Sequence, residues 1–433
     1  MDAILIKNMR YSKLFVQTLK TPPRDADTVN HKLLTQAGFI EQLMAGVYTY
    51  LPLGLRVLKR IEQIVREEMN GIGGQEILMP VLHPKHIWEI SGGWNSIDVL
   101  FKIKSRTQKE YALGQSEEEV VTPLVMKHVN SYNDLPKAVY QIHWKFRDEL
   151  RAKSGILRGR EFYMKDMYSF HESQKDFDSF YEIVKKAYLK VYERLGLVAK
   201  VTEASGGSFT TKISYEFMVL TDAGEDDILY CDTCEFCVNL EIAKVKESGI
   251  CPKCSSGKLH KARASEAGNV FDLGQKYTKD FDTPFIGRDG KQHYAYMGCY
   301  GIGISRAMGI LVEKHHDDKG IIWPKTVAPF QVHLISINSE NETVRKTADE
   351  VYSELMKQGF DIFYDDRDVR AGEKFADCDL IGIPFRIVIS SNTDIATSIE
   401  FKKRTEDKAK FYSLEKITEL LKKEFPTKTR TED

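Results

Sequence analysis

No run of about 18 apolar residues occurs anywhere in the 433, so a membrane-spanning helix is not expected. Neither sign of charge is in excess: 62 Lys and Arg stand against 63 Asp and Glu. A global basic field is therefore missing, and a nucleic-acid partner would have to dock on local basic patches. Cysteine is sparse as well. Seven in a chain of this length do not make a disulfide scaffold. The N-terminal stretch MDAILIKNMRYSKLF has scattered charges and lacks the apolar core of a secretory signal. Internal repeats are absent. With neither span nor signal, the cytoplasm is the expected compartment.

What is present is enough for two or three domains, because the length exceeds one ordinary core. Leu53 to Asn70 has helical spacing (Leu55, Leu58, Ile61, Ile64, Val65, Met69) and stops at Gly71, Gly73 and Gly74. A strand, Glu76 to Met79, then runs into Pro80, where the missing N–H ends it or places it at an edge. Asp25 to Gly38 reads as a shorter helix and Phe177 to Leu195 as a packing helix. Tyr111 to Thr122, YALGQSEEEVVT, reads as a turn and a solvated helix start, its three acids favouring the positive end of the helix. Beyond Trp323-Pro324 and Ala328-Pro329 strands and helices alternate over about 100 residues, which makes a separate small α/β domain. The tail after Phe425 is expected to be disordered.

Four of the cysteines form two Cys-x-x-Cys pairs, Cys231 with Cys234 and Cys251 with Cys254, sixteen residues apart. The spacing fits a zinc ribbon, each pair bending round one side of a tetrahedral ion. Four thiolates would close the coordination sphere, so such a Zn2+ would be structural. Cys237 could compete as a ligand, and a degenerate ribbon with free thiols is the alternative.

The richest stretch is Phe146 to His171. The strand that leads into it reads with period 2: Tyr140, Ile142, Trp144 and Phe146 on a core face, His143, Lys145, Arg147 and Glu149 on a charged one. A loop with Arg151, Lys153, Arg158 and Arg160 follows, and a second strand returns from Glu161 to Phe170. Four cations beside an outward Arg-x-Glu pair suit a polyanion such as a nucleoside triphosphate. Further on, Gly298 to Arg306 reads as a Gly-rich turn into a helix that ends near Lys314, open to close approach by an anion.

Together these pieces resemble the class II aminoacyl-tRNA synthetases, and among them the bacterial-type prolyl-tRNA synthetases, from Met9 to about Phe425. Leu53–Pro80 is similar to the family's first motif. Phe146-Arg147-Asp148-Glu149 with Arg158-Gly159-Arg160-Glu161-Phe162 matches the second, and Gly301–Arg306, Gly-x-Gly-x-x-Arg, the third. Asn30-His31-Lys32-Leu33-Leu34, TYLPLG, GREFYMKDMYSFH and GIIWP add specificity. The resemblance implies an α/β (α+β) fold: an antiparallel-sheet catalytic domain in two parts, 1–230 and 266–327, around a zinc-ribbon-like insertion, 231–265, and then an α/β anticodon-binding domain, 328–433.

It also implies a reaction and a site. L-Proline would be activated by ATP with Mg2+, then passed to tRNA(Pro). Arg147 would bridge carboxylate and α-phosphate; Glu149 would hold the adenine amino group or organise the site. Arg158 and Arg306 would take the distal phosphates, Phe162 would stack under adenine, and Gly301 and Gly303 would line the ATP site. Ser116 and Glu118 would close over proline, with Glu216 as a further pocket residue and His171 as either a pocket wall or a satisfied core histidine. Arg151 would read the tRNA acceptor end, and Asp366, Arg367 and Lys374 the anticodon. A homodimer is implied through the first motif. The family's Pro-Thr-x-Glu-Glu loop is Gln115-Ser116-Glu117-Glu118-Glu119 here, and its Ser-His-Glu-Phe is Ser214-Tyr215-Glu216-Phe217. The large alanine-editing domain that most bacterial relatives insert has no counterpart in the 35 residues from Cys231 to Ser265. The alternatives are an inactive synthetase-like paralogue that binds tRNA or amino acid, and a zinc-ribbon nucleic-acid binder.

Overall fold

The computed structural model describes residues 8–207 and 210–426. The tail beyond Pro426 lies outside them.

Lys137–Phe146 pairs antiparallel with Glu161–His171, from Lys137 opposite Phe170 to Phe146 opposite Glu161. This hairpin lies within a nine-stranded sheet. Its order is Ile213–Leu220, Ala199–Ser205, Cys237–Asn239, Asp226–Cys231, Leu259–Gly274, Tyr296–Gly303, Glu161–His171, Lys137–Phe146 and Gln75–Glu76. Of the expected Glu76–Met79 strand only Glu76 is in the sheet, with Gln75 before it, parallel to Tyr140 and Val139. Met79 instead donates its N–H to Gln141 Oε1 at 2.8 Å.

Three helices cover one face: Pro52–Gly71, Gln174–Leu195 and Ile304–Lys314. Proline in the first turn costs no hydrogen bond, which lets Pro52 open its helix. Gly196 closes the second at φ 84°, a left-handed conformation that favours glycine. Val57, Ile61, Val184, Tyr188, Met308 and Leu311 pack onto Tyr140, Ile142, Tyr300 and Ile302 of the sheet. On the other face a smaller core joins Val121 and Val125 of the helix Glu118–Met126 to Tyr168, Phe170, Met297 and Cys299.

The second sheet runs Asn8–Arg10, Ile362–Asp365, Val332–Ser336, Phe385–Ile389, Ile399–Lys403 and Lys410–Tyr412. The first four strands are parallel and the last two antiparallel. Two elements cross the expected divisions. Asn8–Arg10 extends the C-terminal sheet, and Leu259–Gly274 runs unbroken from the ribbon into the catalytic sheet. The two sheets are tied by side chains. Arg56 Nε donates to Pro329 O at 2.6 Å, Arg60 reaches Asp361 at 2.5 Å, and Arg404 grips Asp317 with two nitrogens at 2.8 and 2.6 Å.

Candidate active site

Strand alternation decides what meets the cleft. Residues directly opposite across a pair share a face, so Lys145 lies beside Phe162, His143 beside Met164 and Gln141 beside Asp166. Across the next pair, Gly303 is opposite Met164, Gly301 opposite Asp166 and Cys299 opposite Tyr168. The segment expected as a Gly-rich turn is therefore a strand. Its large residues, Tyr300 and Ile302, face the helical core together with Gly298, while Gly301 and Gly303 face the cleft. At Gly301 a Cβ would sit 2.7 Å from Asn269 Oδ1, so only glycine keeps that floor open.

Arg147 and Arg306, 159 residues apart in the chain, line one cavity together with Glu149, Arg158, Phe162 and Glu266. The Arg147 guanidinium carbon is 5.1 Å from the Phe162 ring centroid, and its Nε is buried without a partner. Burial, then the Arg306 charge, lower its pKa. Arg306 is held from below: Nε donates to Leu157 O at 2.9 Å, and Nη1 to Glu266 O and Oε2 at 2.9 and 3.2 Å. Leu157 is itself fixed by the NHKLL segment. Asn30 accepts from Ile156 N at 3.2 Å and donates to Ser154 O and Glu313 Oε1. Arg158 donates to Glu149 Oε2 from two nitrogens at 3.0 and 2.8 Å and to Glu225 at 2.9 Å.

Next to Arg147, the three glutamates are not solvated. Glu117, Glu118 and Glu119 are 0%, 1% and 2% exposed. The reading as an exposed helix start fails because the partners come from distant segments: His83 and Lys145 for Glu117, Ser91 for Glu119. Glu118 accepts a short hydrogen bond from Ser116, and its Oε1 is buried with no hydrogen-bond partner. Burial raises the Glu118 pKa, while burial and then the Glu118 charge push Glu119 up to about 8.

Two expected pocket residues lie elsewhere. His171 shares its strand face with Met167 and Ser169, opposite to Asp166 and Tyr168. Its ring packs on Phe177 and Phe180, and Nδ1 is 2.7 Å from Asp176 Oδ2. It is a core histidine on the helical side. Glu216 stands opposite Asn269. Burial, then Glu266 and Asp226, raise it to about 8, which puts it with the acids around Arg306 and not with Ser116 and Glu118.

The sulfur atoms of Cys231, Cys234, Cys251 and Cys254 lie within 4.8 Å of one another, with Cys231–Cys254 at 3.7 Å and Cys234–Cys251 at 3.6 Å. A tetrahedron with 2.3 Å zinc–sulfur bonds has edges of about 3.8 Å. Backbone N–H groups of Thr233, Lys253 and Gly257 point at three of the sulfurs at 3.3–3.4 Å, as suits thiolates. Cys237 is outside the cluster and accepts from Thr202 Oγ1.

Comparison with known proteins agrees with this geometry. Residues 101–315 match the family model "tRNA synthetase class II core domain (G, H, P, S and T)", and 331–424 match "Anticodon binding domain". A proline–tRNA ligase of Zymomonas mobilis is 39% identical over 95% of this chain and 98% of its own length. The chain belongs to the prolyl-tRNA synthetases. Another proline–tRNA ligase, from Citrifermentans bemidjiense, is 33% identical over 92% of this chain and 95% of its own length. That alignment extends over 546 positions, more than a hundred beyond the length of this synthetase. A crystal structure of prolyl-tRNA synthetase from Cryptosporidium parvum, complexed with halofuginone and AMPPNP, shares the fold at a TM-score of 0.75 and 20% identity, over 91% of this chain and 77% of that one.

Of the residues expected to meet tRNA in this prolyl-tRNA synthetase, Arg151 is exposed at the tip of the hairpin loop. Asp366 accepts from Ser12 N at 3.0 Å. Arg367 and Lys374 are turned inward. Arg367 donates to Asp365 and Asp377 and stacks 3.5 Å from the Tyr11 ring centroid. Lys374 is 0% exposed and donates to Ser336 O at 2.6 Å. Both are corrected from anticodon contacts to internal braces. The sequence reading also missed Asn30, Glu266 and Asn269. The signal for the last two was a set of polar residues, Ser265, Glu266, Asn269 and Asp272, interleaved with small and apolar ones in the strand SEAGNVFDLG.

Proposed function

We propose that one cleft holds ATP and L-proline side by side and joins them without a protein nucleophile. A proline carboxylate oxygen attacks the α-phosphorus, the bond to the β-phosphate's bridging oxygen breaks, and pyrophosphate leaves. The terminal ribose hydroxyl of tRNA(Pro) then attacks the prolyl carbonyl, and AMP departs. The work of the protein is alignment and charge neutralisation. Arg147 spans the carboxylate and the α-phosphate, Arg306 and Arg158 take the outer phosphates, Phe162 supports adenine, and Gly301 and Gly303 leave it room. Glu149 orders Arg158. Ser116 and Glu118 take the substrate's ammonium, which supplies the partner that Glu118 Oε1 lacks. The observation that carries this reading is the convergence of Arg147 and Arg306 on a single cavity.

Mg2+ would arrive with ATP. It keeps most of its waters and takes one or two carboxylates besides phosphate, and Glu266 is the carboxylate best placed for it. Burial does most to raise Glu216 and Asp226, and a cation there would relieve the smaller part that comes from Glu266 and their other acidic neighbours. Zn2+ in the four-cysteine cluster would be structural. The exposed apolar side chains Leu43, Leu55 and Leu78, on or next to the first motif, suit a homodimer. The catalytic unit is 1–230 with 266–327, apart from the strand Asn8–Arg10, which joins the anticodon unit 328–433; the ribbon is 231–265, and Arg151 and Asp366 meet tRNA. The compartment is the cytoplasm; no helix among the described residues is long and apolar enough to cross a membrane.

Proline-dependent ATP–pyrophosphate exchange by the wild type, lost in Arg147→Ala, tests the reading. Exchange driven only by another amino acid, or by none, would refute it.

A further inference from the structure

Arg147 is the first residue past the end of the strand Lys137–Phe146, and Lys145, on that strand, is 0% exposed. Its Nζ donates to Glu117 Oε1 at 3.0 Å and lies 3.1 Å from Asp166 Oδ1. The other Glu117 oxygen is 2.9 Å from His83 Nε2. The backbone of Glu117 is held too: its N–H donates to Tyr168 Oη at 2.9 Å, and that hydroxyl donates to Asp166 Oδ2 at 3.0 Å. Gln141 Nε2 adds a bond to the same oxygen at 3.1 Å. Glu117 is thus fixed at its backbone and, through Oε1, by Lys145, while His83 Nε2 stands 2.9 Å from both its other oxygen and Pro80 O.

None of these groups lines the triphosphate cavity. A buried ion pair is also poor at adding net stability, because desolvating two charges offsets most of their attraction. What the cluster does secure is geometry. Glu117 sits between Ser116 and Glu118. Its pair with Lys145 ties that segment to the strand that leads into Arg147. Against burial, which would raise it, His83 and Lys145 hold the Glu117 carboxyl below its usual range; against burial, Asp166 and Glu117 hold Lys145 above its own. Both charges therefore persist inside the protein.

We propose that Glu117 and Lys145 are positioning residues for the imino-acid pocket. Their ion pair sets the separation between Glu118, which meets the substrate's ammonium, and Arg147, which meets its carboxylate. The inference rests on the reading that Ser116, Glu118 and Arg147 hold proline.

The test is pyrophosphate exchange with the full chain. Glu117→Gln and Lys145→Met should each raise KM for proline tenfold or more while KM for ATP stays within twofold. The double variant should raise KM for proline no further than the worse single variant, because each removes the same tie. Glu117→Gln is nearly isosteric and carries the test if Lys145→Met does not fold, with thermal unfolding run in parallel. Equal rises in both KM values, or effects that multiply in the double variant, would overturn the proposal. Glu118→Gln separates the two levels. If it leaves KM for proline unchanged, the pocket reading fails; if it raises that KM while Glu117→Gln does not, only the positioning role fails.

Discussion

Arg147 and Arg306 face each other's charge across one cavity, and the second lowers the pKa of the first once burial has done the larger part. Glu266, Glu149 and Glu118 offset part of that repulsion. The arrangement is braced beforehand: Arg306 by Leu157 O and Glu266, Arg158 by Glu149 and Glu225. Arg147 Nε alone is left buried and unpaired.

That asymmetry predicts unequal costs. Arg147→Ala removes a donor that meets both reactants, and the loss in kcat/KM for exchange should be about 3–4 kcal/mol, or ~10²–10³-fold, as for other preorganised donors. Arg147→Lys should recover little, because an ammonium cannot span two acceptors as a planar fork does. Arg306→Ala should act mainly through ATP, and should also loosen the Gly155–Leu157 turn that its Nε holds. Exchange kinetics with proline and ATP varied separately check all three.

The sequence carried much of this and hid a definable part. The hairpin's alternation was readable because Tyr140 and Ile142 are apolar and Gln141, His143 and Lys145 are not. What could not be read was which charged residues are buried. Glu117 and Glu119 look like any acidic helix start until His83, Ser91 and Lys145, from 26 or more residues away, are folded against them. The Gly298–Gly303 stretch misled for a related reason. Glycine usually marks a turn, yet here it marks the strand face that must stay bare, and only the pairing with Glu161–His171 reveals it. His171 was the opposite error: a histidine ending a family motif, but on the strand's other face.

The missing insertion gives a second prediction. Alanine is smaller than proline and should enter the pocket, since each lost methylene is worth only about 1–3 kcal/mol of discrimination. The purified protein should form alanyl-tRNA(Pro) slowly and leave it intact. Rapid deacylation of preformed Ala-tRNA(Pro) by this chain alone would contradict that.

The four-cysteine cluster predicts one zinc per chain by elemental analysis. Cys251→Ser should lower the metal content and the thermal midpoint, since a tetrahedral site loses one of four closed ligands. The ribbon shares the strand Leu259–Gly274 with the catalytic sheet, so exchange activity should fall along with the metal. Unchanged stability in a strong chelator would argue for free thiols.

The docking of the two sheets predicts an acid-dependent weakness. Asp317 is held down to about 2, first by its bonds to Arg404 at 2.8 and 2.6 Å. An unfolded aspartate titrates near 3.9. A folded pKa below the unfolded one means that the contribution is complete above about pH 4 and is lost as pH falls towards 2. The Asp317 side chain is 40% exposed, so solvent screening limits the effect to about 1 kcal/mol. Asp317→Asn should therefore lower the urea midpoint at pH 7, and the gap from the wild type should start to narrow below about pH 4. In about 1 M salt at pH 7 the same gap should shrink, because the pair is reachable by counterions. A gap constant from pH 7 to pH 3 would show that Asp317 matters through its backbone contacts to Lys319 and Gly320 and not through the Arg404 pair.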